Sequence, residues 1–316
     1  MLSHVMIGES KKHRGIGIKN KENIWHRVWE KLCRMHLVRK LLWGVLAVLA
    51  VVVLYPVFFL ISGSFMGDDE LVRYLGAVIT GKEGYVDVPL LPYYPTFSHF
   101  VEIFLDSPEF FVMFWNSIKI TFGVLAGQLL VGIMAAWGFA KYQFPWKKGF
   151  FLIYMILMLL PFQVLMLSDY LVLDQLKLTD SLWGIILPGI FSTFPVFIVY
   201  RFFTEIPDSL IESAKLDGAR EWQLFWHIAL PIGSSGIIAS MVLGFLEYWS
   251  LIEQPMTFLK DKSLFPLSIF LPDITAVSKS GMAFAASVIT FFPAILVFLG
   301  GQDYLEQGIM AGAVKE

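Results

Sequence analysis

An all-α fold that crosses a membrane six times is the class this sequence predicts. Three observations carry it: composition, the spacing of the apolar runs, and the sorting of the cations. Hydrophobic residues make up 57% of the 316 and charged residues 16%, with a mean hydropathy of +0.67, outside the range of soluble domains. A hydrocarbon core about 30 Å thick needs roughly 20 apolar residues per helical span. Six stretches meet that need, at about 41–63, 114–140, 149–167, 182–200, 233–251 and 282–300. Barrel-like alternation is absent from them, and helices satisfy their own backbone in lipid.

The segments follow in order. Residues 1–40 carry ten Lys and Arg and read as a basic cytoplasmic segment. After the first span, the connection 64–113 holds only Arg73 and Lys82 against eight acids, and Pro92, Pro95 and Pro108 stiffen it. Lys141, Lys147 and Lys148 lie between the second and third spans. Arg201, Lys215 and Arg220 lie between the fourth and fifth, and Lys315 follows the sixth. In total 17 of the 24 cations fall on one side, six on the other, and Lys119 inside a span. The positive-inside rule puts both termini, 141–148 and 201–232 in the cytoplasm and 64–113 outside. The expected organisation is a basic segment 1–40, a membrane domain 41–302 with a cytoplasmic loop at 202–232, and a cytoplasmic tail 303–316.

Several features carry bland readings. Ser62-Gly63-Ser64 resembles a signal-cleavage site, but the polar lead and the apolar run are both too long for a signal peptide, so 41–63 is expected to remain a span. The basic lead suits a topology determinant near anionic lipid better than a nucleic-acid site. His4, His13, His26 and His36 lack metal-ligand spacing. Cys33 is the one cysteine, which excludes an intrachain disulfide.

The loop IESAKLDGAREWQLFWHIALP at 211–231 is unlike an ordinary connection. Pro207 and Asp208 break from the fourth span. Ser209 with Glu212 predicts a capping box at the start of a short helix. Leu210, Ser213, Ala214 and Asp217 share one mostly small face. Gly218 is placed as a left-handed helix cap. Trp222, Phe225, Trp226 and Ala229 then recur at helical spacing, and Pro231 marks re-entry into the membrane. A single helix lying on the leaflet would explain the aromatic residues but not the short helix before Gly218. Two helices joined by a glycine form a protruding knob, which favours a protein partner.

Glu212-Ser213-Ala214, Gly218 and Ile228-Ala229-Leu230-Pro231 resemble the EAA loop of ATP-binding-cassette importer permeases, pattern E-A-A-x3-G-x9-I-x-L-P, with Ser213 in place of an alanine as the one departure. The resemblance extends to the carbohydrate, maltose-transporter-like subfamily. Its carriers are Leu54-Tyr55-Pro56, Trp115-Asn116-Ser117, Ala140 through Pro145, Pro161, Gln163-Val164, Leu182-Trp183-Gly184, Leu187-Pro188, Ile206-Pro207-Asp208 and the tail Ala311 through Lys315. It covers about 45–315, apart from roughly 67–95. Departures are Ser250 where asparagine is frequent, Met310 for threonine and Asp303 for a basic residue.

The resemblance implies a non-catalytic sugar-importer subunit that pairs with a second, homologous permease. Two cytoplasmic ATPases and an extracytoplasmic solute-binding protein would complete the assembly. Glu212, Ser213, Ala214, Asp217, Gly218 and Ala219 would engage an ATPase. Trp222, Phe225, Trp226, Ile228, Leu230 and Pro231 would secure the second helix to this subunit's own spans. Gly308, Gly312 and Ala313 would reach the ATPase interface from the tail. No cofactor is expected on this chain, which shows no phosphate-binding loop, zinc spacing or nucleophile–base set; ATP and Mg²⁺ belong to the partner. Polar groups inside spans are costly, so Gln163, Glu247 and Trp249 are the expected solute-pathway residues, with helix-to-helix bonding as the alternative for Glu247. Pro161, Pro188, Pro195 and Pro293 are expected to kink helices. Rival functions are import of a polyol, glycerol phosphate or peptide by the same machinery, an ion-coupled secondary transporter, and a membrane scaffold.

Overall fold

The computed structural model of the chain describes residues 12–79, 91–270 and 280–313, with side-chain surroundings for 38–77, 91–270 and 280–306. Its regular elements are all helical. In order they are α1 (Lys12–Ser64), α2 (Asp68–Ile79), α3 (Ser98–Asp106), α4 (Pro108–Lys141), α5 (Lys147–Leu159), α6 (Phe162–Gln175), α7 (Trp183–Ile190) and α8 (Thr193–Glu205). Then come α9 (Asp208–Leu216), α10 (Glu221–Ile232), α11 (Ser234–Trp249), α12 (Glu253–Phe258) and α13 (Ser280–Ala313). The chain divides into two units, Met1–Phe59 and Leu60–Glu316. The first unit is helical from Lys12 onward through Pro56; the helical bundle described below belongs to the second.

Among the described residues, four segments are long and apolar enough to cross a membrane, Val38–Ser64, Pro108–Lys141, Trp183–Glu205 and Ser280–Glu306. The count rises to six if the bent pairs α5–α6 and α10–α11 each make one span. The expected third span, 149–167, is therefore not continuous. Its halves turn through 106° at Leu160-Pro161, both extended. Proline disfavours a helical residue before it and has no N–H to donate, so the helix stops there instead of kinking. The second span begins at Pro108 rather than 114, with proline at the first helical position, where a missing N–H costs nothing. The last helix continues through Ala313, so the expected separate tail from 303 starts as an extension of it.

Glycines set the closest approaches. Gly123 and Gly127, spaced as G-x-x-x-G, lay α4 against Ile186 and Ile190 of α7. A Cβ on Gly127 would fall 2.2 Å from an Ile190 side-chain carbon. Gly233 and Gly236 seat α11 on the rings of Phe203 and Phe202, and Gly301 lies against Val242. The core below these contacts joins Ile133, Ala136 and Trp137 of α4 to Val196, Val199 and Phe203 of α8.

The connection between the first two spans folds back on itself. The Thr96 N–H donates to the Phe65 carbonyl at 2.9 Å, and buried His99 holds its Nε2 2.9 Å from the Met66 carbonyl oxygen. Packing of Phe65, Phe97 and Phe100 rings completes the fold. Residues 80–90 of this connection lie outside the described residues.

Replacing Gly127 with Leu should overpack the α4–α7 contact and cost about 1–3 kcal/mol. Thermal melts of the purified protein should fall for Gly127→Leu and recover in part when Ile190→Ala is added. Equal melting temperatures for the wild type and Gly127→Leu would contradict the contact.

Candidate functional site

The 207–231 segment forms the two-helix knob that its sequence predicts, by partly different means. Helix α9 starts at Asp208 with Pro207 as its cap residue and no side-chain capping bond, so the expected Ser209–Glu212 box is absent. The reason lies on α4. Lys141 Nζ donates to the Ile206 carbonyl and, at 2.7 Å, to Asp208 Oδ1, fixing the helix start from outside. That ammonium holds the Asp208 carboxyl below its ordinary range. The other end closes as a Schellman motif: Gly218 sits at φ +84°, its N–H donates to the Lys215 carbonyl, and the Ala219 N–H reaches the Ala214 carbonyl, both at 3.0 Å.

The face of α9 divides differently from expectation. Ile211 is buried and Ala214 half-buried, packing with Ala219 against the α4–α8 core. Glu212, Ser213, Leu216 and Asp217 are exposed. Leu216 is 90% exposed, an apolar tip at the end of α9 that sequence reasoning missed; a leucine two residues before the capping glycine was its signal. The Ser213 hydroxyl donates to the Leu210 carbonyl at 3.0 Å, so its small polar group is turned onto its own helix.

Helix α10 is anchored by other residues than its tryptophans. Leu224 is fully buried, and Phe225, Ile228 and Leu230 pack on the same core, with the Phe225 ring 6.3 Å from that of Trp137. Trp222 and Trp226 are 57% and 61% exposed, which corrects the expectation that they secure the helix. Gln223 Oε1 accepts the Arg220 N–H at 2.8 Å. Residues Phe225–Ala229 form a π turn in which the Leu230 N–H bonds the Phe225 carbonyl, just before Pro231, which has no N–H. Glu221 ties the helices together, accepting from Lys215 Nζ at 2.8 Å and from the Tyr142 hydroxyl at 2.7 Å. Burial first, then that carboxylate, pushes the Tyr142 phenol up. Thus Lys141 and Tyr142, adjacent at the end of α4, each hold one helix of the knob. The signal available beforehand was the cation at 141 opposite the acid at 208.

The expected pathway residues separate. Gln163, in the first turn of α6, donates through Nε2 to both Glu253 oxygens at 2.9 Å. Glu253 was not foreseen, although an acid two residues past the expected span end at 251 was visible. Glu247 is exposed on the last turn of α11. Trp249 is not available to a solute: it is 4% exposed, donates its indole N–H to the Thr290 carbonyl at 2.8 Å and stacks on Phe245. Gly308, Gly312 and Ala313 lie on the end of α13, and their surroundings fall outside the described residues.

Comparison with known proteins decides the class. The model of the family described as "Binding-protein-dependent transport system inner membrane component" matches residues 128–311, more than half of the chain. The chain belongs to this family. It is therefore a non-catalytic, multi-pass component of the cytoplasmic membrane, and membership implies an ATPase and a solute-binding protein as partners. The chain is 28% identical to the arabinooligosaccharides transport system permease protein AraQ of Halalkalibacterium halodurans, covering 85% of this chain and 94% of the relative. It is 26% identical to the lactose transport system permease protein LacG of Rhizobium radiobacter, with 86% and 95% covered. Against the sn-glycerol-3-phosphate transport system permease protein UgpE of Yersinia pestis it is 28% identical, with 65% and 74% covered. A solved bacterial ABC transporter involved in import of the acidic polysaccharide alginate shares the fold, with a TM-score of 0.67 at 22% identity over 82% of this chain and 93% of that one. The permease class leaves no place for the secondary-transporter and scaffold readings.

Two outcomes check the knob. A Cβ on Gly218 would meet nothing within 4 Å, so substitution there tests backbone conformation alone. In the assembled transporter Gly218→Val should abolish coupled ATP hydrolysis and uptake, whereas Gly218→Asn, which tolerates the left-handed region, should keep most of both. Lys141→Ala removes bonds to both Ile206 and Asp208, and Asp208→Ala only one. Uptake should therefore fall further in Lys141→Ala, and the double variant should be no worse than Lys141→Ala alone.

Proposed function

We propose that this permease imports a neutral saccharide, with its knob docked on a cytoplasmic ATPase and a second, homologous permease completing the route. The observation that carries the solute class is the bonded Gln163–Glu253 pair, with the exposed carboxylate of Glu247 six residues before Glu253: an amide and two acids suit hydroxyl partners and oppose an anion. Supporting it, the arabinooligosaccharide and lactose relatives align over more of this chain than the glycerol-phosphate relative does. Glycerol phosphate is the second reading, on the strength of that relative.

The orientation belongs to the same proposal. Both termini and the knob face the cytoplasm, where ATP and Mg²⁺ act in the partner ATPase, and the α2–α3 connection faces outside. Exposed Glu212, Asp217 and Leu216 are the ATPase-facing groups, Gly218 aims them, and Gly308, Gly312 and Ala313 extend the last helix toward the same side. Closure of the ATPases would move α9, and the Lys141 and Tyr142 ties would carry that motion into α4. This is two-state coupling through a rigid element.

The reading is tested by reconstituting the complete transporter and measuring ATP-driven uptake of arabinotriose, lactose and sn-glycerol 3-phosphate. Uptake of a saccharide is expected; uptake of the phosphate alone would replace the sugar reading by its rival. Cys33 checks orientation: in intact cells it should resist an impermeant maleimide and label after permeabilisation. For the pathway, a hydrogen bond to a charged group contributes about 1.5–3 kcal/mol. Glu247→Leu should therefore slow uptake per assembled complex about tenfold or more, with Glu247→Gln milder. Unchanged kinetics for Glu247→Leu would remove it from the route.

A further inference from the structure

We infer that the connection between α1 and α4 carries an accessory saccharide-binding site, separate from the route through the bundle. Helix α2 and the segment leading to α3 line an open surface pocket of about 710 Å³, formed by Asp69, Glu70, Arg73, Tyr74, Tyr93 and Tyr94. That volume falls within the roughly 300–1,000 Å³ of small-molecule sites.

The lining residues come from two pieces of chain that the fold holds in register. Asp69, Glu70, Arg73 and Tyr74 repeat at one-turn spacing along a single face of α2, while Leu71 on the other face is fully buried and anchors the helix. Tyr93 and Tyr94 are brought opposite by two backbone ties. The Tyr93 N–H donates to Glu70 Oε1 at 2.9 Å, and the Thr96 N–H to the Phe65 carbonyl at 2.9 Å. One carboxylate is thereby fixed in place before any ligand arrives. Neither tyrosine ring serves the core: Tyr93 is 76% and Tyr94 83% exposed. Arg73 is exposed and makes no ion pair among the described residues.

The chemistry selects the ligand. Three phenol rings offer apolar faces for the C–H face of a sugar and hydroxyls at their tips. Two carboxylates accept from vicinal hydroxyls, and the Arg73 guanidinium donates to ring or hydroxyl oxygens in a planar fork. Two carboxylates against one guanidinium leave the lining net negative, which opposes phosphate and uronate ligands. The aromatic walls and the guanidinium make this a site; the acids at the helix start would not by themselves. A neutral oligosaccharide is the ligand, held at the outer face before transfer. The assignment rests on the saccharide reading above.

The test uses the complete transporter in lipid nanodiscs, without nucleotide or solute-binding protein, and measures equilibrium binding of radiolabelled arabinotriose, lactose and sn-glycerol 3-phosphate. At least one saccharide should bind in preference to the phosphate. Affinity should fall about tenfold or more in Tyr74→Ala/Tyr94→Ala and persist in Tyr94→Phe. If the double tyrosine variant fails to assemble, Arg73→Ala, on an exposed position, should show the same loss. No saccharide bound above empty nanodiscs, binding unchanged in an assembled cavity variant, or phosphate bound as well as sugar would each overturn the site. ATP-driven uptake of the same probes reads the import function separately. Saccharide uptake without this binding removes the accessory site alone, and cavity-dependent binding without saccharide uptake keeps the site while overturning sugar import.

Discussion

A broken helix inside a bilayer exposes backbone groups that have no water to bond, at a cost of several kcal/mol each. This protein breaks its fourth span between α7 and α8, and the Gly189 carbonyl stands at the break. Gln128 resolves it: its side chain is buried and donates to that carbonyl at 2.8 Å, while the Ser192 N–H adds a longer bond of 3.2 Å. The reach is possible only because Gly123 and Gly127 let α4 lie close to α7. Gln128 also opens the π turn Gln128–Gly132, where the Ile133 N–H bonds five residues back, a local widening that redirects the lower part of α4 toward α8. Much of the bundle follows from the position this one bond gives α4.

Helix α4 touches function at both ends. Near its start, the Asn116 amide donates to the Ser263 and Phe265 carbonyls at 2.7 and 3.2 Å, and the Ser117 hydroxyl accepts the Leu267 N–H at 2.8 Å. These hold the loop after α12. At its far end Lys141 and Tyr142 hold the two helices of the knob. Asp180 closes the circuit on the α12 side, accepting the Lys260 and Asp261 N–H groups at 2.8 Å each, bonds that lower its carboxyl below the ordinary range. On the proposed orientation, one rigid helix joins the ATPase-facing knob to the loop beside Gln163 and Glu253.

Much of this was legible in the sequence, because periodicity and cation placement depend on local residues. Apolar runs located the membrane segments, and Gly218 was read correctly because a left-handed cap is a local backbone demand. What failed was decided by distant residues. Ser209 was a good capping residue on its own, but Lys141, 67 residues before Asp208, supplies the contact at that helix start. Trp222 and Trp226 fit an apolar face, yet Leu224 and Phe225 are the residues that pack into the core. Trp249 looked like a sugar platform until the Thr290 carbonyl and the Phe245 ring claimed it. Pro161 was expected to bend a helix; with Leu160 also extended, it ends one.

The exposed position of Glu247 has a consequence for assembly. On the last turns of α11, Gly244, Phe245, Tyr248 and Trp249 are buried in this subunit, whereas Glu247 points out of it. A carboxylate on a lipid-facing surface is tolerated mainly where protein or a wet cavity surrounds it. On the proposed pairing of two permeases, that wall comes from the other chain. A second permease set face to face across a wet route would cover the acid and let it face water and solute at once. The same requirement applies to the Gln163–Glu253 pair, whose bonds leave carboxylate acceptor capacity unused. The polar groups that look misplaced on a lone subunit are thus where half of a shared pathway would need them.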